Sequence, residues 1–233
     1  MKHRGKSYKN NLAKVEKGKL YSKEEAVKLV KDLSSAKFDA TIEIAMNLNL
    51  DVKKADQQLR GAMQLPKGTG KVNRVLVITK GDYVKAAKEA GADFVGDVDI
   101  LEKIAKENWF EFDVMIATPD MMPILGKYGK ILGPKGLMPN PKTGTVTTNV
   151  SKAVEESKGG RVEYRTDSYG NIHGVIGKAA FSEADLLENL EAFVKTIVRL
   201  KPSSAKGVYI KSLAISATMS PSVKIDQNSF DNN

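Results

Sequence analysis

The texture of the apolar residues changes twice along this chain, and that double change constrains the fold more than any single motif. Ile42, Ile44, Met46, Leu48 and Leu50 alternate strictly with Thr41, Glu43, Ala45, Asn47 and Asn49. A period of two predicts a strand with one buried and one largely polar face, as antiparallel sheets permit. Val75-Leu76-Val77-Ile78 is instead a continuous apolar run, the pattern of a strand covered on both faces. Between them, the first pattern ends at Leu65-Pro66, and Lys67-Gly68-Thr69-Gly70-Lys71 reads as a linker. After Gly159-Gly160 the alternation returns, with Val162 and Tyr164 set against Glu163 and Arg165. Half-exposed strands at both ends and buried strands in the middle predict an insertion. The expected domains are a split one, residues 1–66 with 160–233, and a continuous one over 67–159. Two linkers crossing at one place would make a hinge.

Local signals fill in the elements. Ser22-Lys23-Glu24-Glu25 reads as a capping box opening a helix with Ala26, Val27, Leu29, Val30 and Leu33 on one stripe. In the middle region, Asp82 would cap a helix through Ala90 with Gly91 past its end. Phe94-Val95 reads as a short strand, Asp99 with Glu102 as a helix start reaching Trp109, and Phe112 to Thr118 as a buried strand. Strand, helix, strand, helix, strand implies a parallel sheet between helices. A further helix is expected from Val150 to Lys158. Asp167-Ser168-Tyr169-Gly170-Asn171 is a turn signal that predicts a returning strand over Ile172 to Ile176. Ser182 opens a long amphipathic helix stopped by Pro202. In the last strand, from Val208 to about Met219, the apolar phase shifts, which predicts a bulge near Ser212.

The segment Gly126 to Thr145 stands apart, with five glycines, three prolines, four lysines and no acid. So much Gly and Pro excludes a long regular helix or a central strand. Leu132, Leu137 and Met138 argue against plain disorder. Charge follows the same unevenness. Residues 1–20 carry seven Lys or Arg against one Glu, while residues 80–113 carry five Lys against nine acids. The net charge of the 233 residues is +9, which favours an acidic partner, nucleic acid first. Zero cysteines exclude disulfides and thiolate metal sites, and fit the cytoplasm. No window approaches a membrane span, and the basic N-terminus lacks a signal peptide's apolar core.

Enzyme chemistry finds little purchase. Neither Gly126-Lys127 nor Gly177-Lys178 has the upstream glycine of a phosphate loop, and no GxGxxG follows the Val75 strand. A nucleotide-dependent enzyme built on the central domain is the rival reading, but it would need a phosphate loop and an acid–base pair. His173 has no second histidine nearby; a structural or RNA-contacting imidazole fits it better than a catalytic one. Phe38 is a core residue by type, or else an aromatic platform for base stacking beside Lys37. Small hydroxyl residues at Ser216 and Thr218 would either pack or let an RNA backbone approach. Arg165, His173 and Lys178 are expected on or near one sheet face.

Taken together, the LGPKGLMPNPKTGTV core of the Gly-rich segment resembles the signature of the large-subunit ribosomal protein L-one family, which forms the mobile stalk beside the tRNA exit site. Lys37-Phe38-Asp39, Asp56 to Gly61, Leu65 to Lys71 and Ala205-Lys206-Gly207 are similar to the family's landmarks in the same order. The resemblance covers essentially the whole chain, and the length suits a bacterial member. It implies an α+β and α/β fold: a split two-layer α+β domain with an inserted three-layer Rossmann-like α/β domain. By matching position it puts the main rRNA site on Lys37, Phe38, Thr41, Glu43, Arg165, His173, Lys178, Ser216, Thr218 and Met219. Lys127, Lys130, Lys135 and Lys142 would give secondary RNA contacts. The implied partners are large-subunit rRNA, exit-site tRNA and, through repression of translation, the chain's own operon mRNA. No cofactor, metal or catalytic residue is expected. One departure stands out: Ser220 replaces the family's usual Gly, which would cost something if that position needs positive φ.

Overall fold

A computed structural model describes residues 4–81 and 83–230. The expected Asp82 cap lies outside the described residues. In chain order the first elements are α1 (Lys6–Ala13), α2 (Lys23–Leu33), β1 (Thr41–Leu48), β2 (Arg60–Gln64), β3 (Val75–Ile78), α3 (Tyr83–Glu89), β4 (Phe94–Gly96), α4 (Val98–Glu107) and β5 (Val114–Ala117). Then come α5 (Met122–Leu125), α6 (Gly129–Leu132), α7 (Val150–Lys158), β6 (Arg161–Arg165), β7 (Asn171–Lys178), α8 (Glu183–Arg199), β8 (Ile210–Ala217) and β9 (Val223–Ile225). The chain divides into two compact units. One runs up to Gly70 and resumes at Val162, and the other is Lys71–Arg161.

In the first unit, an antiparallel sheet of order β7-β1-β8-β9 rests one face on α2 and α8. The alternation of β1 is the reason. Ile42, Ile44, Met46 and Leu48 are buried against Val30, Leu33, Leu190, Phe193 and Ile197 from the two helices. Thr41, Glu43, Ala45 and Asn47 point away and stay exposed or half-exposed. Both helices start on a serine cap: Ser22 Oγ accepts from the Glu25 N–H at 3.2 Å, and Ser182 Oγ from the Asp185 N–H at 3.1 Å. Gly174 sits where a side chain on β7 would overlap the buried Phe193 ring, so the sheet can approach α8 closely there.

Two irregularities fix which residues share the open face. Between Ile42 and Glu43 the β1–β7 register slips, leaving Ile176 and Gly177 both directed toward the helices. Lys178 is thereby returned to the face that carries His173. The predicted bulge in the last strand is present: the register shifts between Asn47 and Leu48, and Lys211 is skipped between Ser212 and Ile210.

The returning-strand expectation needs correction. β6 pairs with β2 in a separate two-stranded sheet, and β7 pairs with β1; an isolated bridge, Thr166 to Ile172, lies between them. The turn itself forms, with Asp167 Oδ1 accepting from the N–H groups of Tyr169 and Asn171, both at 2.8 Å. It carries the chain from one sheet to the other. Val162 and Tyr164 instead pack inward with Met63, and Gly61 leaves room for the Tyr164 ring.

The second unit is a parallel sheet of order β4-β3-β5. All four residues of β3 are buried. Val75 and Val77 pack with Ala87 of α3 and Val150, Ala153 and Val154 of α7. Leu76 and Ile78 pack on the other face with Leu101 and Ile104 of α4. The continuous apolar run thus has helices on both sides. Helix α4 begins at Val98, one residue before the expected Asp99, and Asp97 in the cap position makes no side-chain capping bond.

The Gly-rich segment is more ordered than its composition predicts. Its first seven residues form a 3-10 turn, Gly126–Tyr128, and then α6, and a second 3-10 turn spans Pro141–Thr143. Leu125 and Leu132 are buried in the second unit's core, with Leu137 and Met138 against it. Burial of these side chains outweighs the low helix propensity of glycine. Gly136 and Gly144, at φ of 71° and 67°, make the turns that other residues resist.

Candidate nucleic-acid interface

The open face of the four-stranded sheet gathers most of the residues singled out from the sequence. Register places them in rows across three strands. Lys178 pairs with Thr41, whose backbone is bonded in turn to Thr218. In the next row Glu43 stands opposite Val175 and Ser216, and in the next Ala45 stands opposite His173 and Ala214. Lys178, Thr41, Glu43, Ser216, Thr218 and His173 therefore share one end of one face.

The first row is held by its own hydrogen bonds. The Lys178 ammonium donates to Thr41 Oγ1 at 2.8 Å. Thr218 Oγ1 accepts from the Thr41 N–H at 3.1 Å and donates to the Thr41 carbonyl at 3.2 Å, while the Thr218 N–H reaches the same carbonyl at 2.9 Å. The cation is thus steadied beside the hydroxyl row rather than left to sweep through solvent.

Lys37 and Phe38 lie on the loop leading into β1. Phe38 is 56% exposed, which overturns the core reading of its residue type. Ala40, fully buried, takes the inward position of that loop, and Asp39 Oδ1 accepts from the Ala180 N–H at 3.0 Å. The anchored loop holds the Phe38 ring in solvent beside Lys37, also exposed.

Beyond β8 the chain makes a tight turn in which Ser220 N–H donates to the Ala217 carbonyl at 2.9 Å. Met219 takes the positive φ, 66°, and its side chain is 79% exposed. Ser220 does not need positive φ. Its hydroxyl accepts from the Ala217 N–H at 3.0 Å and closes the turn from inside, so the expected cost of replacing glycine does not arise. A non-glycine residue held left-handed is uncommon and strained, and such strain gathers at functional sites.

His173 is exposed, with Nε2 3.9 Å from Asp167 Oδ2. Hydrogen bonds from Asn171 hold the Asp167 carboxyl below its ordinary range. Arg165 is exposed on β6 of the two-stranded sheet, outside the sheet of His173 and Lys178 but next to the bridge from Thr166 to Ile172. Lys127, Lys130, Lys135 and Lys142 are all exposed on the second unit, with Lys135 Nζ 4.0 Å from the centre of the Phe110 ring.

Two residues absent from the sequence reading belong here. A groove of about 370 Å³ at the Thr218 end of the face is lined by Arg4 and Tyr8 as well as by Glu43, Ser216, Thr218, Met219 and Ser220. The available signal was an arginine and a tyrosine close together in a basic segment. Among the described residues no group of His, Asp and Glu is placed to hold a metal ion, and no helix is long and apolar enough to cross a membrane.

An open face of hydroxyls, an imidazole, a fixed ammonium and an exposed aromatic suits an irregular polyanion better than a small substrate. Comparison with known proteins shows the family. The Ribosomal protein L1p/L10e family profile matches residues 30–221. The chain is 57% identical over 223 residues to the large ribosomal subunit protein uL1 of Aster yellows witches'-broom phytoplasma, covering 96% of each. It is 55% identical over 230 residues to the proteins of the same name from Streptococcus pneumoniae strain CGSP14 and Streptococcus agalactiae serotype III, covering 99% of this chain and 100% of theirs. Matches of that depth over nearly the whole length leave no room for a shared motif on an unrelated chain: this protein belongs to the ribosomal protein L1p/L10e family.

Proposed function

We propose that the chain is a non-enzymatic component of the large subunit of cytoplasmic ribosomes, binding large-subunit rRNA through the open sheet face of its split domain. The observation that carries this reading is the row Lys178–Thr41–Thr218, with Phe38 exposed on the adjoining loop. The row presents a positive charge and fixed hydroxyls, and Phe38 a stacking surface. Those are the groups that recognise RNA by phosphate, 2′-hydroxyl and unstacked base rather than by a duplex groove. Arg165 serves as a phosphate contact on the flank of the face rather than within it. The Rossmann-like domain inserted into the split one carries Lys127, Lys130, Lys135 and Lys142 as secondary RNA contacts and helps exit-site tRNA leave. An operon mRNA that mimics the rRNA site would bind the same face and be repressed.

The test is filter binding of a large-subunit rRNA junction fragment. Lys37→Ala with Phe38→Ala should weaken binding strongly, while Lys127→Ala with Lys130→Ala should weaken it only slightly. Equal effects would sink the assignment of the primary site. An mRNA leader that competes with the rRNA fragment for the same variants would support the repressor role, and a leader that binds without competing would count against it.

A further inference from the structure

The groove's second wall is Tyr8 of helix α1 with Arg4 just before the helix, and α1 is docked rather than trailing. Asn11, only 7% exposed, donates from Nδ2 to the Leu33 carbonyl at 2.8 Å, and Ser7 Oγ donates to Ser35 Oγ at 3.0 Å. These bonds tie α1 to the end of α2, at the start of the same loop that carries Phe38. On the groove side, the Arg4 guanidinium lies over the Tyr8 ring, 4.6 Å from its centre. The pair places a cation against an aromatic ring. Met219 also lines the groove from the turn after β8, held left-handed with its side chain in solvent. Glu43, Ser216 and Thr218 supply polar atoms between.

Phosphate neutralisation alone would not use a tyrosine and a methionine. A base splayed out of its stack does, because aromatic and guanidinium planes replace the neighbours it has lost. The groove's volume of about 370 Å³ also falls within the range of sites that take a small ligand rather than a helical stretch. Building on the rRNA reading above, we propose that this groove receives one unpaired nucleotide of the bound RNA, its base packed on the Arg4–Tyr8 pair.

The test replaces each unpaired nucleotide of the rRNA junction fragment in turn with an abasic one. Wild-type affinity should fall about 5- to 150-fold at one position, the range that stacking of one base supplies. Tyr8→Ala should lose a similar factor on the intact fragment and lose nothing more with the abasic one, while Tyr8→Phe should bind as wild type. Arg4→Ala changes an exposed side chain and carries the same test if Tyr8→Ala fails to fold. Additive losses from protein and RNA changes, or intact-fragment binding unchanged in both alanine variants, overturn the stacking. A wild-type chain that does not hold the fragment at all overturns the rRNA reading itself, and this inference with it.

Discussion

Thr218→Val removes one hydroxyl while keeping the shape of the side chain, so it isolates what the first row of the face contributes. In the folded chain that hydroxyl is the acceptor for the Thr41 N–H at 3.1 Å. The Thr41 carbonyl, by contrast, keeps the Thr218 N–H at 2.9 Å after the substitution. The net damage is one part-buried donor left without a partner, a cost of about 1–3 kcal/mol. Thr41 Oγ1 also holds the Lys178 ammonium, so a shift at Thr41 displaces the cation. If about 1–2 kcal/mol of this reaches the bound state, affinity falls about 5- to 30-fold. Lys142→Ala removes one screened charge on the other unit and should cost about twofold or less. Filter binding to the rRNA junction fragment at fixed salt measures both, with thermal unfolding followed by circular dichroism to confirm that each variant folds. Thr218→Ser should restore most of the affinity. Equal losses for Thr218→Val and Lys142→Ala, or a Thr218→Val variant within twofold of wild type, would show that the hydroxyl row contributes nothing to binding.

Three further outcomes are expected. Affinity for the fragment should fall steeply with salt, about 0.7–0.9 log units per log unit of salt for each phosphate contacted, and a flat response would remove polyanion binding altogether. Gly174→Ala drives a methyl into the Phe193 ring and should destabilise the first unit by about 1–3 kcal/mol in urea unfolding; an unchanged midpoint would mean that the ring has room to move. The Asp113 carboxyl is held down to about 2 by the Lys71 ammonium, which lies 2.6 Å away, with Arg74 N and Nε adding bonds at 3.1 and 3.3 Å. A depressed carboxyl stabilises the fold fully above its unfolded value, about 3.9, and loses that contribution as the pH falls toward 2. Because both partners are more than half exposed, the contribution is about 1 kcal/mol. Asp113→Asn should therefore cost about that much at pH 6 and progressively less toward pH 2, and a constant difference across that range would contradict the linkage.

Some of this was legible along the chain because burial there follows a local period. The alternation of β1 and the apolar run of β3 each state which faces are covered, and the phase shift before Leu213 marks a real slip in register. Other features depend on partners distant in sequence. Arg60–Gln64, with no β-branched residue, looks unlike a strand, and its Gly61 makes sense only beside the Tyr164 ring. The turn at Asp167 was readable as a turn, but a turn does not say whether the next strand returns to the last one or joins another sheet. Phe38 is apolar by type and exposed by position, because the neighbouring Ala40 takes the inward place. The groove wall was the least visible part. Helix α1 is docked by Asn11 and Ser7, polar residues that leave no apolar stripe to read.

Chemical probing of large-subunit rRNA, bare and bound, tests the sheet face most directly. The wild-type chain should protect one helix junction. That protection should survive Lys127→Ala with Lys130→Ala and fade with Lys37→Ala, Phe38→Ala or Thr218→Val. Protection that persists through every change on the sheet face, or that disappears only with the lysines of the Gly-rich segment, would contradict the role of the sheet face.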